Sequence, residues 1–157
     1  MPYSDKVFLD YPDETTTEKP ASTGEIREFI HPTYGKQLYR LVRNTSGGAI
    51  VAGRAVTFAS GSSLNVAYTT ANQPAVTVAG ITVVDIADDA YAWVVCSGEV
   101  LAASNAAVVA NTPVITAGVA GQVNDTAVTT VEHCIIGVFT AAVGGALPVT
   151  IRVSGIM

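Results

Sequence analysis

The sequence predicts an all-β protein, in which a compact domain built as a small barrel or sandwich follows an extended N-terminal arm. Three observations support this prediction. The apolar residues are mostly Ala and Val rather than Leu or Phe, and Thr and Gly are frequent. Short apolar stretches alternate with turn residues along most of the chain. The charged residues are concentrated before Gly47 and Gly48.

The composition favours sheets over a helical bundle. The 157 residues are enough for one domain with its own hydrophobic core. Hydrophobic residues make up 49% of the chain and charged residues 13%, and this charged share is about half that of an average protein. Side chains as small as those of Ala and Val fill thin, closely spaced sheets better than a thick helical core.

Residues 1–37 are predicted to form the arm, and residues 38–157 the β domain. Residues 1–47 contain 13 charged residues, whereas residues 48–157 contain eight, and a segment this polar cannot bury enough apolar surface to fold alone. A short helix over residues 22–30 is a further prediction, with Ser22 or Thr23 as its cap. Seven apolar residues punctuate the arm and predict contacts with a partner or with the chain's own domain: Tyr3, Phe8, Leu9, Tyr11, Phe29, Ile30 and Tyr34.

From Gln37 onward, the pattern of apolar and polar residues predicts strands. The turn residues at 44–48 end the first of them. A helix over 102–110 fits the Ala content of that stretch, but Val108, Val109 and its shortness oppose it. The predicted strands, in chain order, are 38–43, 54–58, 64–69, 75–79, 81–86, 90–96, 98–102, 113–117, 135–140 and 148–153.

Few residues after position 48 could carry catalysis. His133 and Cys134 are adjacent, so in a strand they would point to opposite faces and could not easily work as a pair. His31 lies in the arm. A zinc site would require repeated short Cys/His spacings, which the sequence lacks. We therefore expect a non-enzymatic protein with no catalytic residue, no metal site and no cofactor.

Cys96 and Cys134 are too few for a disulfide framework. The favoured interpretation is a pair of buried thiols that act as small apolar side chains. One disulfide would form only if their two strands lay side by side.

Asp85, Asp88 and Asp89 form the one acidic cluster of the β domain. Calcium binds several oxygen ligands, but this loop lacks the alternating Asp/Asn and Gly pattern of a calcium-binding loop. The cluster therefore predicts a polar turn between the strands over 81–86 and 90–96.

Tyr91 and Trp93 lie two residues apart on one predicted strand, so they share a face of the sheet. Paired aromatic residues can stack on sugars or bases when they are exposed. The favoured interpretation is that they are the large members of a core otherwise built from Ala and Val.

Charge and hydropathy exclude two classes of partner. The net charge is −5 with only eight Lys and Arg residues, so the chain lacks the basic surface that binds phosphate backbones. The polar N-terminus predicts no signal peptide, and no apolar run approaches the ~20 residues of a membrane span. We expect no nucleic acid and no membrane as partners, and synthesis in a cytoplasm.

Several segments between residues 38 and 155 are similar to the decoration, or cement, proteins of tailed-bacteriophage capsids. The shared element is an aromatic strand that runs into Ser-Gly and a second short strand. The arm over 1–37 is not covered. The segments that carry the resemblance are 41–48, 91–100, 106–110, 112–115, 120–123, 135–142 and 149–153.

The resemblance implies a small β-barrel or sandwich on the outer face of a phage head. It implies that the major capsid protein is the partner, that the chain forms a homotrimer, and that it ties neighbouring capsid subunits together. Synthesis would take place in the bacterial host cytoplasm. An alternative function is a carbohydrate-binding or fibre/adhesin-type surface module of a virion, for which Tyr91 and Trp93 would have to be exposed.

Overall fold

The structure is a computed structural model, which describes residues 9–20, 23–59, 64–125 and 134–154. The described residues form strands joined by turns, with a short 3-10 helix over Ala75–Thr77, and the predicted all-β class is confirmed. The strands are β1 (Thr15–Thr16), β2 (Ile26–His31), β3 (Gly35–Asn44), β4 (Ala55–Phe58), β5 (Asn65–Tyr68), β6 (Val78–Thr82), β7 (Tyr91–Ala103), β8 (Pro113–Thr116), β9 (Val123–Asp125), β10 (Gly137–Phe139) and β11 (Pro148–Val153).

The strands pair along a single path, β2-β3-β5-β4-β6-β7-β11-β10-β8-β9, and β1 adds to β7. A further pairing between β3 and β7 closes the middle of this path. The strands β3, β5, β4, β6 and β7 therefore form a ring in which each strand pairs with two neighbours. The β3–β5 pairing is parallel, whereas the other four are antiparallel.

The long strand β7 connects the ring with the second group of strands. Its residues 91–97 pair with β3, and residues 98–103 pair with β11. The sequence predicted two strands, over 90–96 and 98–102, but the structure has one strand with a register shift against β3 at this point. Gly98 has a φ of 108°, and a Cβ there would lie 2.7 Å from the Lys36 carbonyl oxygen. Glycine thus lets β7 continue where the chain would otherwise clash.

Two hydrophobic clusters lie on opposite faces of β3 and β7. The smaller cluster takes apolar residues from all five strands of the ring, including Val42, Val56 and Val66. The larger cluster contains Trp93, which is fully buried, and extends into the second group of strands. A buried Trp removes roughly 150–250 Å² from water, which at about 25 cal/mol per Å² stabilises the fold by about 4–6 kcal/mol.

The described part of the predicted arm is folded onto the domain. β1 pairs with the start of β7, and β2 forms a hairpin with β3 over Ile26–His31 and Gly35–Arg40. The boundary predicted between residues 37 and 38 therefore lies inside β3. The helix predicted over 22–30 is wrong: the side chains of β2 alternate between exposed and half-buried positions, because one face of this strand packs against the domain.

Other strand predictions differ mainly at their ends. Residues 75–77 form the 3-10 helix, and β6 then joins the end of one predicted strand to the start of the next. Ala102 and Ala103 belong to β7, so the helix considered over 102–110 does not begin there. Beyond β6, Ile86 pairs with Ile50 as an isolated bridge.

Within the described residues, no helix has the length and apolar character needed to cross a membrane.

Candidate functional site

A groove of about 710 Å³ lies beside the β2–β3 hairpin and is the candidate functional site. Its walls come from residues 11–13, from hairpin residues 29–32 and 34, and from residues 52–53 and 82–84. The last wall is residues 100–103 of β7. The lining is mostly apolar, which is typical of sites that bind ligands or peptide segments.

Four of the seven predicted contact residues line this groove: Tyr11, Phe29, Ile30 and Tyr34. Tyr11 is 64% exposed and Ile30 is 73% exposed. Leu9 is buried in the chain's own core instead. Tyr3 and Phe8 lie outside the described residues.

An aromatic cluster holds the hairpin wall in place. The Phe29 ring packs edge-to-face against Tyr39, with 5.2 Å between centroids, and against Trp93 at 5.7 Å. The indole N–H of Trp93 donates a hydrogen bond to the Leu9 carbonyl oxygen at 3.1 Å. Leu9 and Phe29 therefore pack on their own domain, and the sequence left this alternative open.

Arg27 links the hairpin to the segment before it. Its guanidinium lies 5.4 Å from the centre of the Trp93 ring and forms ion pairs with Glu25 at 2.8 Å and Asp10 at 3.6 Å. The hydrogen bond to the Glu25 carboxylate is the main cause that raises the pKa of Arg27. The cation thus holds the N-terminal segment and the hairpin together.

Gln37 and Tyr39 contribute buried polar groups to the groove. The Gln37 amide donates from Nε2 to the Glu99 carbonyl oxygen, and its Oε1 accepts a hydrogen bond from the Tyr39 hydroxyl at 2.6 Å. Burial raises the pKa of Tyr39 to about 12. The phenol is therefore neutral, and this part of the groove carries no charge.

The turn at the tip of the hairpin is held by His31. Its Nδ1 accepts hydrogen bonds from the backbone N–H groups of Thr33 at 3.1 Å and Tyr34 at 3.2 Å. The imidazole also stacks on the Tyr34 ring, with 4.7 Å between centroids. These contacts orient Tyr34 along the groove wall.

Tyr91 and Trp93 are both buried, with 7% and 0% of their surface exposed. The core interpretation of these residues is confirmed. They form no exposed stacking surface for a sugar or a base, so the carbohydrate-binding alternative loses the residues that motivated it.

The acidic cluster forms the predicted polar turn. Each carboxylate accepts a hydrogen bond from a different part of the chain, and the three do not converge on one binding site. In order along the chain, Asp85 accepts from the N–H of Ala52 at 2.8 Å, Asp88 from that of Gly47 at 3.1 Å, and Asp89 pairs with Arg43 at 2.9 Å.

The two cysteines are free and buried. The Cys96 thiol donates to the Leu38 carbonyl oxygen at 3.4 Å, and the Cys134 thiol to that of Asn72 at 3.0 Å. Burial raises the pKa of Cys96. His133 lies outside the described residues, and within those that are described no three His, Cys, Asp or Glu side chains group as a metal site.

Sequence reasoning missed the other walls of the groove. Gln37, Gly53 and Leu101 are far apart in the sequence and carry no motif. Only the β3–β7 pairing and the turn around Gly53 bring them together, and neither is visible in local periodicity.

The fold is similar to that of the head fiber gp8.5 N base of bacteriophage phi29. The superposition has a TM-score of 0.56 at 14% sequence identity, and covers 74% of this chain and 92% of that structure. At this identity the likeness concerns the fold alone. No protein-family model matches the chain. No curated protein matches it either.

Proposed function

We propose that this chain is a structural protein of a phage virion that lies on the outer surface of the head as a decoration protein. It would bind the major capsid protein and bridge neighbouring capsid subunits. The observation that carries this proposal is the shared fold with a protein named as the base of a phage head fiber. The resemblance of residues 38–155 to capsid decoration proteins agrees with it.

The groove is the proposed contact surface. Tyr11 and Ile30 leave large apolar side chains in water at its rim, and exposed apolar patches beside polar residues are typical of interaction sites. A protein that binds only the assembled shell stabilises that shell by mass action. Decoration of this kind requires complementary surfaces but no chemical step.

A non-enzymatic role is part of the proposal. The polar side chains that line the groove are one amide, three phenols and one hydroxyl, together with Asp13 and His31. His31 Nδ1 is occupied by two backbone N–H groups. No nucleophile paired with a base lies along the described walls, so binding is the function that this geometry supports.

A homotrimer around a symmetry axis of the shell is also proposed, with the host cytoplasm as the place of synthesis. Closed symmetric assemblies present identical copies of one binding surface. Three grooves on one trimer would let a single decoration unit hold several capsid subunits.

Variants of the groove rim test this contact surface. Replacing Tyr11 and Ile30 together with Ser should weaken cosedimentation with undecorated phage heads by roughly tenfold or more, because two apolar anchors are lost. The matched control is Val76→Ser, since Val76 is 85% exposed and lies outside the groove. Equal binding by the rim variant and the control would exclude the groove as the capsid contact.

A second candidate is the base of a head fibre rather than a cement protein. The similar structure is named as a fiber base, and this favours the candidate directly. Electron microscopy of decorated heads separates the two: compact knobs on the surface support a cement protein, whereas thin projections support a fibre base.

A further inference from the structure

The edge of β7 that faces the groove has a backbone pair without a partner. In an antiparallel sheet, the N–H and C=O of one residue point to the same side, and successive residues alternate. Thr140 donates its N–H to the Thr150 carbonyl oxygen at 3.0 Å, so the Thr150 backbone groups point toward β10. Thr150 lies opposite Leu101 in the β11–β7 pairing. The N–H and C=O of Leu101 therefore point away from β11.

The neighbouring contacts on β7 support this direction independently. The Ala103 N–H donates to the Gly53 carbonyl oxygen at 2.7 Å, and the Glu99 carbonyl accepts from the Gln37 amide. Residues 99, 101 and 103 share one orientation, so all three face the groove side. No residue in the described part of the chain pairs with the N–H or C=O of Leu101, which lie between these two contacts.

The gap arises because β3 stops pairing with β7. The last β3–β7 pair is Leu38 with Ser97. Beyond it, the Lys36 carbonyl oxygen lies close to Gly98, and the Gln37 side chain donates to the Glu99 carbonyl. Gly53 reaches β7 from the other end, where its carbonyl accepts from Ala103. The unpaired N–H and C=O of Leu101 therefore lie between two fixed contacts, at Glu99 and Ala103, and this position differs from a frayed strand end.

The groove walls define what could fill this gap. An extended segment would pair its own N–H and C=O with those of Leu101, as in strand addition to a sheet edge. Tyr34 and Ile30 would contact its apolar side chains. Asp13 is the one carboxylate along the described walls, and no Lys or Arg lines them. A basic residue on the segment would complement that charge.

We propose that this groove binds an extended segment of another protein by β-strand addition at Leu101. The segment alternates apolar with polar residues and carries Lys or Arg at the end near Asp13. This inference deepens the proposed function and rests on it for the source of the segment, a capsid protein. The peptide chemistry rests on the groove itself.

Selection from a display library of random peptides of about twelve residues, against the full chain, tests this chemistry. Enriched peptides should alternate apolar and polar residues and carry a basic residue. Their binding, measured by fluorescence anisotropy, should fall by roughly tenfold in Leu101→Pro, because that change removes the N–H and its hydrogen bond. Leu101→Ala keeps the N–H and should lose much less.

Leu101→Pro should still fold, because β11 does not use the N–H of Leu101 and proline is tolerated where that group is unpaired. A second measurement on the unaltered chain removes dependence on this variant. The Leu101 amide should exchange its hydrogen quickly in the free protein and slowly with bound peptide. The Val100 amide, which faces β11, should be protected in both states.

Several results would overturn the inference. They are the absence of enriched peptides, equal binding by Leu101→Pro, and equal binding by a peptide methylated on the paired backbone nitrogen. Selection of segments of this chain's own sequence would assign the groove to a second copy instead. If Leu101→Pro binds phage heads as well as the unaltered chain, strand addition fails while the head-binding function stands. If the chain binds the peptides as predicted but does not bind phage heads, the proposed head-binding function fails while strand addition stands.

Discussion

At the scale of single residues, buried polar groups decide how the groove is built. Tyr39 and Gln37 are almost fully buried, and each satisfies the other through a hydrogen bond. A buried acceptor that loses its donor still carries the free-energy cost of desolvation, because no hydrogen bond compensates for the lost contact with water. The polarity of this part of the groove therefore depends on hydrogen bonds rather than on charge.

Tyr39→Phe should destabilise the fold by about 1–3 kcal/mol, because the Gln37 Oε1 would lose its donor inside the core. Urea unfolding followed by Trp93 fluorescence measures the change. Tyr34→Phe is the control, since the Tyr34 hydroxyl has no such partner in the described residues. Equal stability of Tyr39→Phe and the unaltered chain would show that the Gln37 amide finds another donor.

The raised pKa of Tyr39 makes the free energy of unfolding depend on pH. Its pKa rises from 10.0 to about 12 on folding. The stability that this shift contributes is complete below pH 10.0, the ordinary pKa, and is lost as pH rises toward about 12. Unfolding free energies between these pH values should fall more steeply for the unaltered chain than for Tyr39→Phe. Parallel curves would contradict the shift.

At the scale of elements, the central feature is that β7 continues through Ser97 and Gly98, where two separate strands were predicted. The sequence predicted an aromatic strand over 90–96 and a second short strand that begins at Gly98. Glycine relieves a close approach as readily as it forms a turn. Only the position of Lys36 in the folded chain distinguishes the two.

Gly98→Ala should therefore destabilise the fold by about 2–4 kcal/mol, because the new Cβ meets the Lys36 carbonyl in a conformation that L-residues avoid. Gly48→Ala is the matched control, since a Cβ there meets nothing within 4 Å. Thermal melts of both variants make the comparison. Similar melting temperatures would show that β3 can move away from β7 at little cost.

The N-terminal segment shows where sequence reasoning was limited. Composition identified its charge and its punctuating apolar residues, but charge could not reveal that Arg27 would pair with Glu25 and Asp10. The alternation that places Phe29 inward spans only six residues in β2. A signal this short is ambiguous between helix and strand until its partner β3 is known.

Deleting residues 1–37 should consequently damage the domain as well as any partner contact. The deletion removes β1, β2 and the Leu9 carbonyl that accepts from Trp93. Trp93 emission should shift to longer wavelength as water reaches the indole, and the melting temperature should fall. If the deletion product kept the native emission spectrum, this prediction would be wrong, and residues 1–37 would be an arm that is separable from the domain.

At the scale of the whole molecule, the all-β class could be predicted from composition and turn spacing. The ring of five strands could not, because its closure depends on β3 pairing with both β5 and β7. Those contacts join residues far apart in the sequence, and no local pattern encodes them. The groove has the same origin, since its walls meet only after the ring and the hairpin have formed.

The proposed trimer makes a prediction about the free protein. Light scattering on the purified chain should give three times the mass of the 16.1 kDa chain. Dilution should not change this mass if the trimer is formed before it meets the shell. A mass equal to one chain would contradict a preformed trimer.

Quantitative cosedimentation with undecorated phage heads tests the proposed role on the phage head most directly. Binding should be saturable, with a fixed ratio of bound chains to capsid subunits that does not change when more protein is added. Decorated heads should also resist heating better than bare heads, because binding stabilises the assembled shell. Binding that is absent, or that rises without saturation, would contradict a structural role on the phage head.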